Sequence, residues 1–278
     1  MAAAEDVVNL ELDEKTSVVV HLFGATIISW KCGGVEQLFV SKKSHFDNKK
    51  AIRGGIPLVF PNFGPWESGP QHGFARISRW SVASPPSKNA AGNMTAVFSL
   101  TDSEVTRALW NFKFELLYTV ELSPSALDIK FDLTNKGSDG FDFTWLVHTY
   151  IRTTNIDNVT VSGLQGLTYI DKVKSGAKEV ESREKVIVQE NVDRIYTNTP
   201  AEHIISHTAS GQLTLQKSNF PDTVVWNPWK EKAAAMSDFG DEEYKEMICV
   251  EAGYVSQPKV LPPGESYQSS QKLTVAKL

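Results

Sequence analysis

The sequence predicts an all-β protein, a large antiparallel sandwich with few short helices. Three observations carry this reading. Apolar and polar residues alternate with a period of two along much of the chain. The strand-like runs are short and recur between Gly, Pro, Asn and Asp, and helical periodicity is sparse. The length of 278 residues suits one β-sandwich domain over 1–278, since no repeat, linker or low-complexity segment divides it.

The elements follow in order. SVVVHLF from Ser17 and TAVFSL from Thr95 open the strand-like runs. TDSEVTRALW then offers the best helix, with Thr101 and Glu104 spaced as a capping box. Phe112, Phe114, Leu116, Tyr118, Val120 and Leu122 alternate with polar residues. Past the turn Ser123-Pro124-Ser125, Leu127, Ile129, Phe131 and Leu133 do the same, which reads as a hairpin. A turn over Asn135–Gly140 leads into FDFTWLVHTY. EKVIVQ, QLTLQK, TVVW, MICVEA and QKLTVAKL complete the set, with a short turn expected in Asp238–Tyr244.

Composition narrows the function. The net charge of -5 and pI of about 5.7 argue against a nucleic-acid partner, whose affinity rests on neutralised phosphates. An anionic ligand is then small and held in a local cationic pocket. Two cysteines, Cys32 and Cys249, make no disulfide framework and suit a reducing compartment. The N-terminus lacks the pattern of a signal or transit peptide, and no apolar run approaches the roughly 20 residues of a membrane span. A cytoplasmic monomer without membrane or nucleic-acid partners is the expectation.

Several residues could carry chemistry. In FDFTWLVHTY, His148 falls opposite the row Phe141, Phe143, Trp145 and Val147. It reads either as a hydrogen-bonded sheet histidine or as a proton-exchanging one. Glu251 follows Met247-Ile248-Cys249-Val250, and a carboxylate there is costly unless it is paired, used or turned to water. Between Ala51 and Arg79, AIRGGIPLVFPNFGPWESGPQHGFARISR sets Arg53, Arg76 and Arg79 among glycines, as an anion site or as solvated surface. Asp193 and the Trp226-Asn227-Pro228-Trp229 cluster suit a polyhydroxylated ligand, or turn chemistry and core. His203 and His207 have a metal-like spacing only on a helix, and in this strand-like context they read as surface histidines. Phosphate-loop, serine-nucleophile and dinucleotide motifs are absent.

In combination these segments resemble a known family. Arg53-Gly54-Gly55-Ile56-Pro57, Gln71-His72-Gly73-Phe74-Ala75-Arg76, Val147-His148-Thr149-Tyr150, Val192-Asp193-Arg194-Ile195-Tyr196 and Cys249-Val250-Glu251 occur in the order found in glucose-6-phosphate 1-epimerases. These are the hexose-6-phosphate mutarotase branch of the aldose 1-epimerase superfamily. The resemblance, from about Val18 to Val275, implies a β-supersandwich of the galactose mutarotase-like type. It implies cofactor-free and metal-free interconversion of hexose 6-phosphate anomers. It also implies His148 and Glu251 as the catalytic pair and Arg53, Gln71, Arg76 and Asp193 as substrate-binding residues, with His72, Phe74 and Trp226 near the pocket. A non-catalytic sugar-binding module and a glycoside hydrolase using Asp193 and Glu251 are the rival readings.

Overall fold

The computed structural model describes residues 4–276. Two large antiparallel sheets face each other, and a smaller one lies alongside. The first has eight strands, in the order Ala177–Val180, Thr168–Asp171, Val192–Tyr196, Asp222–Asn227, Met247–Leu261, Phe141–Val147 and Leu58–Val59. Its eighth strand, Tyr150–Arg152, also pairs with Met247–Leu261. The second has nine, with Phe114–Leu122, Ala126–Asn135, Ser266–Val275 and Gly211–Ser218 near its centre. The third holds four strands between Val7 and Glu36.

The predicted hairpin forms as read. Phe114–Leu122 alternates buried and half-buried residues along its whole length, and it pairs with Ala126–Asn135 from Phe114–Asn135 to Leu122–Leu127. Its inward residues build the core against the eight-stranded sheet, where Phe131 meets the Trp145 ring edge-on at 4.5 Å between centroids. Buried aromatic pairs of this kind add roughly 0.5–1.5 kcal/mol beyond their area.

Two local expectations need correction. The helix Glu104–Leu109 is capped by Ser103, not by a Thr101–Glu104 box. Ser103 Oγ accepts the Thr106 N–H at 3.2 Å, and Thr106 Oγ1 accepts the Ser103 N–H at 2.8 Å. Thr101 is spent as the last residue of the strand Met94–Thr101. The run FDFTWLVHTY is two strands, broken at His148 and Thr149, where the His148 N–H turns aside to the Pro57 carbonyl. Of the final predicted run, Lys277 and Leu278 lie outside the described residues. A 3-10 helix, Glu243–Glu246, overlaps the turn expected before Tyr244. Among the described residues no helix is long and apolar enough to cross a membrane.

Candidate active site

The floor of the pocket is one face of the eight-stranded sheet, and register explains its contents. Val147 pairs with Ala252 and Tyr150 with Cys249, so His148 falls opposite Glu251 across the break. On the other side of the same strand, Glu251 pairs with Val224 and Cys249 with Trp226, while Trp226 pairs with Asp193. Paired and alternate residues share a face. His148, Tyr150, Cys249, Glu251, Trp226 and Asp193 therefore project to one side. His148 stacks on Tyr150 at 4.6 Å and meets Trp226 edge-on at 5.9 Å.

The wall comes from the glycine- and proline-rich connection. Gly55, at φ +68°, passes so close to the third sheet that a Cβ would stand 2.1 Å from the Ile27 carbonyl oxygen. The glycine thus serves close packing of the backbone. This passage leaves Arg53 facing the cavity, with its guanidinium held by Asp238 at 3.1 Å and by the Tyr150 hydroxyl at 3.2 Å. Gly73 packs against Phe60 in the same way and is followed by the 3-10 turn Ala75–Ile77. That turn presents Arg76, which donates from Nη2 to the Gln71 carbonyl at 2.8 Å. The resulting open pocket, about 250 Å³, has Arg53, Gln71, His72, Arg76, His148, Asp193, Trp226 and Glu251 among its lining residues.

Burial dominates the electrostatics. Glu251 is 1 % exposed, and desolvation, with Asp193 adding to it, raises its carboxyl well above the ordinary value. Desolvation holds the His148 imidazole well below its ordinary value, and His72, Arg76 and Arg53 push the same way. His148 Nδ1 and Glu251 Oε1 stand 3.3 Å apart, but too obliquely for a hydrogen bond. His148 Nδ1 thus has no partner among the described residues, and neither has the other carboxylate oxygen, Glu251 Oε2. Burial, with Arg76 next, lowers His72 to about 3, so that ring is neutral. Its Nδ1 accepts the Gly64 N–H at 3.1 Å, which leaves the ring proton on Nε2. Burial, partly offset by Tyr150 and reinforced by Arg53, lowers Arg76 to about 10. Arg53 is held above its ordinary value because Tyr150 and Asp238 outweigh its burial.

Not every expected residue reaches this cavity. Phe74 is core, with its ring against Phe60, Trp66, Trp110 and Phe114, because it lies on the inner side of its turn. Arg79 pairs with Asp6 away from the site. Trp229 turns out of the pocket, since Asn227 takes the Trp229 N–H on Oδ1 and ties the Tyr244 and Met247 carbonyls. His203 is buried rather than a surface residue, and its Nε2 meets the Thr223 hydroxyl at 2.8 Å. His203 and His207 share the strand Glu202–Thr208, so the helical metal spacing does not arise. Several residues of the site were missed. Lys172 and Lys232 line the cavity, and Lys172 lies over the Phe63 ring at 4.8 Å. Tyr150 and Asp238 hold Arg53. Lys172 and Asp238 sit in irregular segments whose sequence gives no periodic or motif signal.

Known proteins match this chain over nearly its whole length. The sequence model of the aldose 1-epimerase family matches residues 6–274. A protein of Cenchrus ciliaris, provisionally named glucose-6-phosphate 1-epimerase, is 38% identical over 257 residues, 90% of this chain and 78% of its own. One of Escherichia coli with the same provisional name is 32% identical over 96% of this chain and 92% of its own. The crystal structure of a provisionally assigned mutarotase from Salmonella typhimurium superposes with a TM-score of 0.89 at 29% identity, over 99% of this chain and 92% of that one. With its fold, its ordered segments and these matches in agreement, the chain belongs to the aldose 1-epimerase family.

Proposed function

We propose that this enzyme interconverts the α and β anomers of glucose 6-phosphate and related hexose 6-phosphates, with Glu251 and His148 as its proton-transfer pair. One observation carries the reading. A carboxyl and an imidazole lie 3.3 Å apart on the floor of a cavity whose wall bears Arg53, Arg76 and Lys172. The names of the relatives point to the same substrate.

The chemistry requires one proton to leave the C1 hydroxyl and another to reach the ring oxygen. Burial favours the neutral forms of both groups, so before substrate binds the proton of the pair rests on Glu251. The arginines that disfavour imidazolium are the ones that meet the phosphate. A bound dianion offsets their charge and lets His148 take the proton. Glu251 carboxylate then removes the C1 proton while His148 protonates the ring oxygen. The open-chain sugar leaves the pair as carboxylic acid and neutral imidazole, the forms that burial favours. After rotation about C1–C2, the two transfers reverse and the ring closes as the other anomer. Gln71 and Asp193 bind hydroxyls, and Trp226 covers an apolar face of the sugar.

Exchange NMR between the two anomers of glucose 6-phosphate tests this. Saturation transfer is expected with the protein and not without it. It is expected to fall at least about 10²-fold in Glu251→Gln and in His148→Ala, the scale of a lost general acid or base. Sugar-phosphate binding without acceleration would identify a binding module instead, and near-normal exchange in either folded variant removes that residue from the pair.

A further inference from the structure

We propose that His148, Cys249 and Glu251 form a capture site for a thiophilic divalent cation, zinc being the fitting ion, which blocks the enzyme by occupying its proton-transfer pair. The site stands on geometry alone. Only its inhibitory consequence rests on the function proposed above.

One ligand atom from each of the three residues lies within 4.8 Å of the other two, and all three side chains are buried. Cys249 precedes Glu251 by two residues on the same strand, so the pleat puts thiol and carboxyl on one face. His148 arrives from the neighbouring strand opposite Glu251. Zinc bonds of about 2.0–2.2 Å to nitrogen and oxygen and about 2.3 Å to sulfur place tetrahedral ligands roughly 3.3–3.6 Å apart. His148 Nδ1 and Glu251 Oε1 already stand at 3.3 Å. Side-chain rotation that draws the thiol from within 4.8 Å to that spacing completes the triangle.

Three features favour a cation over a packing accident. Buried polar atoms normally have partners, yet His148 Nδ1 and Glu251 Oε2 have none among the described residues. The donor set of thiolate, imidazole and carboxylate matches zinc better than magnesium or calcium, which prefer oxygen alone. The ligands also supply compensating charge: thiol and carboxylic acid each release a proton to the buffer, and the two anions offset the 2+ of the ion against the cations Arg53, Arg76 and Lys172 on the cavity wall. His148 and Glu251 line the cavity and Cys249 lies buried behind them, so an ion held by the three would be approached from the cavity side and keep a fourth position toward it. Cys249 distinguishes this site from the reaction proposed above, in which it has no part.

Cobalt(II), a spectroscopic stand-in for zinc, tests the site directly. Titration of the Cys32→Ser protein is expected to give a thiolate-to-cobalt charge-transfer band that saturates at one equivalent and is bleached by zinc. The band is expected to vanish in Cys249→Val and Cys249→Ala. Zinc is expected to inhibit anomer exchange in the wild type and at least about tenfold more weakly in Cys249→Val, as for loss of a metal contact. Metal-free exchange in that variant should stay within about twofold of wild type, Cys249 having no part in the reaction. A Cys32→Ser protein that gives no band at one equivalent, or a band that survives removal of Cys249, overturns the site. The cobalt result decides it whether or not the protein accelerates anomer exchange.

Discussion

Arg53 and Arg76 face one cavity with unequal freedom. Arg53 already meets Asp238 and Tyr150, whereas Arg76 has an acidic partner nowhere among the described residues, and its buried Nε is unpaired. Arg76 is therefore the guanidinium whose charge is least satisfied without substrate. Charge-assisted hydrogen bonds contribute about 1.5–3 kcal/mol, or about ten- to hundredfold in kcat/KM. Arg76→Ala is expected to lower kcat/KM for glucose 6-phosphate by that factor while changing the rate with free glucose less than about threefold. Steady-state rates on both sugars check this, and an equal loss on both would end the phosphate-grip assignment. Arg53→Ala is expected to lower the thermal midpoint as well, because it strands Asp238. The sequence made both arginines visible through the motifs around them. It hid their inequality, since Asp238 is 185 residues away from Arg53 and reaches it through an irregular segment.

At the scale of elements, the strand-like runs located about half of the strands, and cross-strand register decided the site. His148 was legible as opposite the aromatic row. That it faces Glu251 follows from pairings between segments about a hundred residues apart, which no local pattern encodes. The helix cap was misread for a related reason: Thr101 suits a cap as well as Ser103 does, and strand pairing claimed it. His203 shows how pairing reshapes a titration. It sits on Glu202–Thr208 of the nine-stranded sheet and meets Thr223 of the eight-stranded one. Burial, with Lys217 next, lowers its imidazole from 6.5 to about 4. Between those values the unfolded chain binds more protons, so stability is full above about pH 6.5 and falls as pH drops toward 4. The loss from this residue is about 3 kcal/mol by pH 4. Urea unfolding at pH 7 and pH 4.5 is expected to show a shallower pH dependence in His203→Gln by roughly one proton. An unchanged slope would show that His203 does not carry that stability.

At the scale of the whole molecule, the alternation that predicts a sandwich also divides the chain's work between two faces. Trp145, Val147 and Thr149 turn toward the nine-stranded sheet, while His148 and Tyr150 turn toward the cavity. The class of fold was legible because alternation is local. The strand order was not, because distant segments such as Asp222–Asn227 and Met247–Leu261 become neighbours only through tertiary pairing. One buried contact ties the second sheet to the site: Gln271 Nε2 donates to Thr149 Oγ1 at 2.8 Å, beside His148. Gln271 is fully buried, yet its Oε1 has no partner among the described residues. Thr149 Oγ1 also reaches the Val147 carbonyl at 3.3 Å. Replacing Gln271 by methionine thus removes one hydrogen bond and one stranded acceptor together, and stability is expected to change by less than about 1.5 kcal/mol. Activity should respond differently, because the backbone between His148 and Tyr150 loses its tie to the opposite sheet. We expect kcat to fall about three- to tenfold with KM nearly unchanged, the pattern of a misaligned reacting group with intact binding. Wild-type kcat in a folded Gln271→Met protein would mean that the eight-stranded sheet holds His148 in place unaided.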